Sequence, residues 1–422
     1  MLVWSGHFTG IQRVVYEYAK RFESDGANYF AYDKTGERFI RLELSQLDLG
    51  QTESPNEKKS QEQGVPIRRK IRRTLGRPYY MLGTKQKTAL RPLVDAANFY
   101  VRSGMSKLDK KSHSHASPYT TYPDADFKAK DTVVLLGASW NDDVVLDKLV
   151  AIKQESDFRL IQHINDLLPI YQPQLFSEEL PGKFRQYINK VIHHAAVITV
   201  ISEATKRDVL AYCKENKVKN VTVKVIRLGE DVEVDKPLRP EQVPVNKQFI
   251  LAVGTFEVRK NYVLLYQAVK LAQLENKELP HIVIAGRKGW LTDDLAHILG
   301  LDPYAKENIT WLENASDNEL SWLYENCMFT VFPSLAEGWG LPIVESLRHG
   351  KMSIASGVSS MLEIGDGLVD YFLPYDAREC MEKIRYYVAE DRYLAMDKKV
   401  KETYQVFTWD ESYRLFHKAA SK

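Results

Sequence analysis

The chain has 422 residues, 44% apolar and 27% charged, which supplies sizeable cores for two or three domains of an ordinary globular protein. Its three cysteines, Cys213, Cys327 and Cys380, show neither metal-ligand spacing nor a disulfide pattern, which excludes a zinc centre or a disulfide-built fold and points to a reducing environment. No apolar run approaches about 18 residues and no charged-then-apolar leader opens the chain, so neither a membrane span nor secretion is expected. The formal charge of +2 conceals an uneven distribution.

In chain order, "MLVWS" leaves room only for a very short strand before "GHFTG", unless natural residues precede it. Gly10 then opens a helix through "TGIQRVVYEYAKRF". Residues 64–94 contain nine Lys or Arg and no acid, interleaved with Ile, Leu, Tyr and Met. Three readings compete for this segment. Nucleic acid lacks an accompanying binding motif, a solvated face needs no ligand, and an anionic membrane surface would attract each base by about 1 kcal/mol while apolar neighbours insert. "TVVLLGAS", "FRLIQHIND", "AAVITVIS" and "VTVKVIRLG" read as strands, and "SEATKRDVLAYCKEN" as a helix with Ser202 as its N-cap.

Residues 230–247, with three prolines and many charges, read as a linker. Beyond it strand and helix alternate through "QFILAVGT", "NYVLLYQAVKLAQLE", "HIVIAG", "TDDLAHILG", "ITWLE", "SDNELSWLYENC", "FTVFPS" and "KMSIASG". This alternation predicts a second α/β domain with a parallel sheet, whose ligand site lies at the carboxyl ends of the strands. The loops there, "GTFEVRKN", "AGRKGW", "SLAEGWGLP" and "ASGVSSMLE", have the glycine, basic and hydroxyl content of a polyphosphate site. In "SLAEGWGLPIVES" Glu337 and Glu345 stand eight positions apart around Gly338 and Gly340. The glycines permit a tight approach to a ligand, Pro342 suits a first helical position, and Glu345 is expected in the first helical turn. Helix-start amides favour an anion, whereas carboxylates hold hydroxyl pairs. A diphosphate, a ribose diol and a sugar supply those parts. By itself Glu345 could equally be a dipole-complementing residue.

Together these stretches resemble the retaining, family-4 glycosyltransferases of the GT-B fold, of the type that builds bacterial cell-surface polysaccharides. The resemblance rests on "TGIQRVVYEYAKRF", "NDLLPIYQPQLF", "VISEATKRDVLAY", "VGTFEVRKNYVLLYQA" and "VFPSLAEGWGLPIVESLRHGKMSIASGVSSMLEIG". It implies two Rossmann-like domains facing across a cleft: an acceptor-binding domain over 1–229 with a basic insert at 64–130, the linker 230–247, a nucleotide-sugar domain over 248–407, and a helix at 408–422 packing back on the first domain. It also implies that Glu337 holds the donor sugar, Glu345 the ribose, and Arg259 with Lys260 the diphosphate, aided by backbone at Gly10, Gly338, Gly340 and Leu341. Thr255 stands where many relatives carry a base, and Lys288 and Trp290 face the same strand ends. Gln12, Asn165 and Asp166 are implied on the acceptor side, and Glu337, Asp166, Arg259 and Lys260 are the implied catalytic residues. Asn165-Asp166 replaces the family's His-Asp pair, while His163 is expected on the strand as a structural residue.

The implied reaction moves a hexose from a nucleotide-sugar to a saccharide or lipid-linked acceptor with retention. No carboxylate stands out as a nucleophile, and "DADF" at 124–127 is not a convincing Asp-x-Asp metal site, so neither cofactor nor metal is expected. A lipid-linked acceptor favours the membrane reading of 64–94 and a cytoplasmic location at the inner membrane face, with no nucleic-acid partner. A non-catalytic GT-B subunit and a GT-B sugar-nucleotide epimerase are the alternatives.

Overall fold

The computed structural model describes residues 10–43, 121–137, 139–141, 143–231 and 236–421. The expected first strand and the basic segment 64–94 lie outside the described residues. Two compact units emerge. In the small one, strands Tyr29–Asp33 (β1) and Arg38–Leu42 (β2) form a two-stranded sheet. Asp33 Oδ1 accepts the Thr35 amide at 3.0 Å in the connecting turn, and Phe39 packs against Phe30 and Tyr32.

The large unit contains two parallel sheets. Thr132–Leu135 (β3), Arg159–Ile164 (β4), Val197–Val200 (β5) and Thr222–Val225 (β6) pair in sequence order. Their Val, Ile and Leu content suits strands covered on both faces, and β5 is buried throughout. The helix Glu203–Glu215 follows β5, with Ser202 accepting the Thr205 amide at its start.

The second sheet comprises Phe249–Val253 (β7), His281–Ala285 (β8), Ile309–Leu312 (β9), Thr330–Phe332 (β10), Ser353–Ser356 (β11) and Val369–Phe372 (β12), ordered β12-β11-β10-β7-β8-β9. The chain builds outward from β7 to β9, then returns to the other side of β7 and builds outward to β12. The order therefore reverses between β7 and β10, which opens a crevice at their carboxyl ends.

The last helix, Trp409–Ala420, belongs to the first sheet in space. Its Phe416 and Trp409 rings lie 4.9 Å and 5.6 Å from Tyr18, on the helix Gly10–Ser24. The Tyr18 hydroxyl meets Ser412 Oγ at 2.7 Å, and Arg159, which opens β4, donates to the Ala420 carbonyl at 2.7 Å. The chain reaches this position by pairing with its earlier crossing: the Glu230 amide donates to Phe407 O at 2.9 Å, and the Trp409 amide to Asp231 at 2.6 Å. Among the described residues no helix is long and apolar enough to cross a membrane.

Candidate functional site

The loops after β7 and β10 meet at the crevice where the strand order reverses. Glu337, in the second loop, is 8% exposed, and its two oxygens face Lys260 Nζ at 2.7 Å and Arg259 Nη1 at 2.5 Å. Arg259 also donates to Glu257 Oε1 at 2.6 Å and to the Ala336 carbonyl at 3.0 Å, so its fork is shared between two carboxylates. Burial would push the Glu337 carboxyl up, but the guanidinium and ammonium outweigh it and hold the group at about 2. Burial also raises Glu257, against the pull of Arg259 and Lys260. The result is a dehydrated set of fixed charges, two of each sign, at a strand-end crevice.

Two glycines let the Glu337 loop take its shape. A Cβ on Gly338 would lie 2.7 Å from Asn165 O and 3.0 Å from Asp166 Oδ2, so the absence of a side chain brings the Asn165-Asp166 loop of the first sheet against Glu337. Gly340 has φ +145°, which only glycine adopts without strain, and it leads into the helix Leu341–Arg348. Asp166 accepts the Leu168 amide at 3.0 Å, and burial raises its pKa, with Arg259 opposing.

Glu345 is the fifth residue of that helix rather than a first-turn residue, because the helix begins at Leu341 and Pro342 occupies its second position. One turn in, Glu345 accepts the Tyr324 hydroxyl at 2.7 Å and lies 3.5 Å from Arg13 Nη1. Arg13 extends from the helix Gly10–Ser24 and also meets Asp317 at 3.4 Å. A Cβ on Gly10 would touch Leu341 Cδ1 at 3.6 Å, which sets Gly10 beside the start of the Glu345 helix, and half-buried Gln12 follows it. Thr255 adjoins Gly289 of the loop after β8.

The remaining candidates lie outside the ion cluster. Lys288 is half-exposed and pairs with Asp293 at 2.6 Å. The Trp290 indole donates to Leu175 O at 2.9 Å and stacks on Phe176. His163 is 1% exposed on β4, its Nδ1 is 3.0 Å from Thr199 Oγ1, and Tyr18 and Phe416 enclose it. Burial pushes its pKa down to about 4, so it is a neutral ring in a packed interior. Three participants escaped the sequence reading: Glu257, Arg13 and Tyr324. Only Glu257 left a local signal, as the carboxylate two residues before Arg259.

Residues 235–403, about two fifths of the chain, match the family described as Glycosyl transferases group 1. Among curated relatives, the serotype-specific mannosyltransferase WbdA of Escherichia coli is 29% identical over 238 residues, covering 52% of this chain and 29% of WbdA. The O-antigen chain mannosyltransferase B of E. coli is 30% identical over 199 residues, covering 44% of this chain and 51% of that protein. The chain thus spans at most about half the length of these relatives. Among solved structures, HepE of Anabaena in complex with UDP and glucose aligns with a TM-score of 0.52 at 18% identity, over 69% of this chain and 78% of that one. The architecture is that of the GT-B fold.

Proposed function

We propose that the chain is a retaining hexosyltransferase that uses a nucleoside-diphosphate sugar and acts in cell-surface polysaccharide synthesis. The observation that carries this reading is Glu337 held as a carboxylate between Arg259 and Lys260 at the crevice between β7 and β10. The mannosyltransferase relatives make mannose the first donor sugar to test.

In this reading Arg259 and Lys260 receive the diphosphate, with backbone at Gly10, Gly338, Gly340 and Leu341 completing its cradle and Thr255 and Lys288 at its margin. Glu345 holds the ribose and Glu337 the sugar hydroxyls. The bond from the anomeric carbon to the diphosphate oxygen breaks while the acceptor oxygen approaches on the same face, and the acceptor proton passes to the departing phosphate. Negative charge develops on that phosphate, where Arg259 and Lys260 are already fixed, so the stabilisation requires little reorganisation. Gln12, Asn165 and Asp166 present the saccharide or lipid-linked acceptor. The two side-chain cations do the neutralisation that a metal does elsewhere.

Thermal-shift screening across nucleoside-diphosphate hexoses, followed by turnover with a saccharide acceptor, tests the reading. Release of nucleoside diphosphate that depends on the acceptor supports it. Conversion of the donor alone would point to an epimerase, and binding without turnover to a partner subunit. Residues 64–94 are proposed to dock on anionic lipid at the inner membrane face. Replacing Arg68, Arg69, Arg72 and Arg73 with glutamine should release the protein from phosphatidylglycerol vesicles, by several hundredfold at about 1 kcal/mol per charge. Failure of the parent protein to sediment at low salt ends that part of the proposal.

A further inference from the structure

The helix Glu203–Glu215 stands after β5 of the first sheet, yet two of its amino-terminal amides bond to a residue that follows β11 of the second. A helix start presents four amides without intrahelical partners. Here the Lys206 amide makes the first regular helical bond, to Ser202 O at 3.0 Å, and the Thr205 amide before it donates to Ser202 Oγ at 3.0 Å. The two amides between Ser202 and Thr205 go to one carboxylate: Glu203 N–H to Glu363 Oε2 at 2.8 Å, and Ala204 N–H to Glu363 Oε1 at 2.6 Å. Glu363 ends the short 3-10 turn Ser359–Glu363 beyond β11, and Arg207 adds a loose contact at 3.9 Å. Ser202 already caps the helix, so the Glu363 contact is not needed to start it. What it adds is a link between the two sheets, made of two charge-assisted bonds.

The link closes a circuit through the candidate site. On one side, Ser359 and Ser360, at the head of the Glu363 turn, donate to the Glu337 carbonyl at 2.9 Å and 2.8 Å. On the other, Thr205 Oγ1 donates to Asn165 O at 3.2 Å, and Asn165-Asp166 is the loop against which Gly338 rests. The segments meet through hydrogen bonds or close contacts, and they are joined along the chain within the Ser359–Glu363 turn and the start of the Glu203–Glu215 helix.

We propose that Glu363 is a positioning residue that clamps the Asn165-Asp166 loop against the Glu337 loop, and so sets where an acceptor meets the donor. Its consequence for transfer rests on the function proposed above; the clamp itself does not. Glu363→Ala should leave nucleoside diphosphate affinity within twofold, because it removes no group from the donor cluster. It should lower kcat with a saccharide acceptor about tenfold while the donor KM stays within twofold. Glu363→Gln keeps one acceptor oxygen and should fall between the two, which also serves should the alanine variant fold poorly.

Amide hydrogen exchange reads the clamp without any turnover. Exchange should rise at least tenfold at residues 203–204 and, by transmission through Thr205, at residues 165–168. If exchange rises at 203–204 while 165–168 stay as protected as in the parent protein, the clamp is disproved whatever the turnover. If both segments loosen but kcat is unchanged in a parent protein that does transfer sugar, the positioning role is disproved. Absence of turnover in the parent protein would overturn the transferase reading, and the exchange result would still decide the clamp.

Discussion

The carboxyl ends of the two sheets use burial for opposite purposes. At the six-stranded sheet Arg259, Lys260, Glu257 and Glu337 are withdrawn from water as ions, each satisfied by another. At the four-stranded sheet the titratable group at the end of β4, His163, is withdrawn as a neutral ring, and Asn165 and Asp166 in the loop beyond it are half-buried. One end holds charge before any ligand arrives, and the other supplies shape. Both sheets share an architecture, so the difference lies in the loops after the strands.

The comparison is broken most severely by removing the shared carboxylate. Glu337→Ala leaves Arg259 and Lys260 buried without it and should cost about 3–5 kcal/mol of stability at pH 7, measured by urea unfolding. A loss below about 1 kcal/mol would mean that water reaches the pair and that the charges are not held in advance. Glu345→Ala, one helical turn beyond the cluster, should weaken nucleoside diphosphate binding by about 1.5–3 kcal/mol in calorimetric titration. Equal affinity removes Glu345 from the ribose.

Glu337→Gln keeps the shape and loses the charge. Turnover should fall at least tenfold, equivalent to about 1.4 kcal/mol in the barrier, with nucleotide binding retained. Undiminished turnover takes Glu337 out of the reaction. The same variant changes the acid limb of stability. Because the folded pKa of Glu337 is lowered to about 2, its contribution is present above its ordinary value near 4.5 and is lost as pH falls toward 2. The glutamine variant should lack that limb.

The smallest effect is expected at the neutral end. The folded pKa of His163 is lowered from 6.5 to about 4, so its contribution is complete above pH 6.5 and disappears as pH falls through 4. His163→Phe should flatten the unfolding midpoint between pH 6.5 and 4 and cost about 1 kcal/mol at pH 7 through the lost Thr199 bond. Sugar transfer should be little changed. A large loss of turnover would put His163 in the reaction.

Much of this contrast was legible from residue order, and the parts that were not have physical reasons. Runs such as "FILAV" and "HIVIA" carry β-branched side chains between turn signals, and they form buried strands where expected. The position of Arg259, Lys260 and Glu337 at strand ends follows from that pattern. The geometry among them does not, because it depends on the β7 loop folding against the β10 loop. Glu257 carries no mark in the sequence beyond its place two residues before Arg259, and its burial against that side chain follows from the fold of the β7 loop. Arg13 reaches Glu345 from the other sheet's helix, a pairing that no local spacing encodes. Lys288 and Trp290 occupy the strand-end loop, but their side chains turn to Asp293 and Leu175, since direction within a loop is set by tertiary neighbours.

The return of the helix Trp409–Ala420 to the first sheet has a consequence for how the protein is made. Domains usually complete themselves as they emerge from the ribosome, first domain first. Here Trp409, Ser412 and Phe416, which cover Tyr18, are synthesised after the whole second sheet. At about 5–20 residues per second the interval between β6 and that helix is roughly 10–40 s. For that time the nascent first sheet carries an uncovered aromatic face while the second sheet can already close. The half of the molecule that is translated first is therefore the last to be finished, and a ribosome-stalled chain ending before Trp409 should expose Tyr18 to chaperones or proteases that the finished protein excludes.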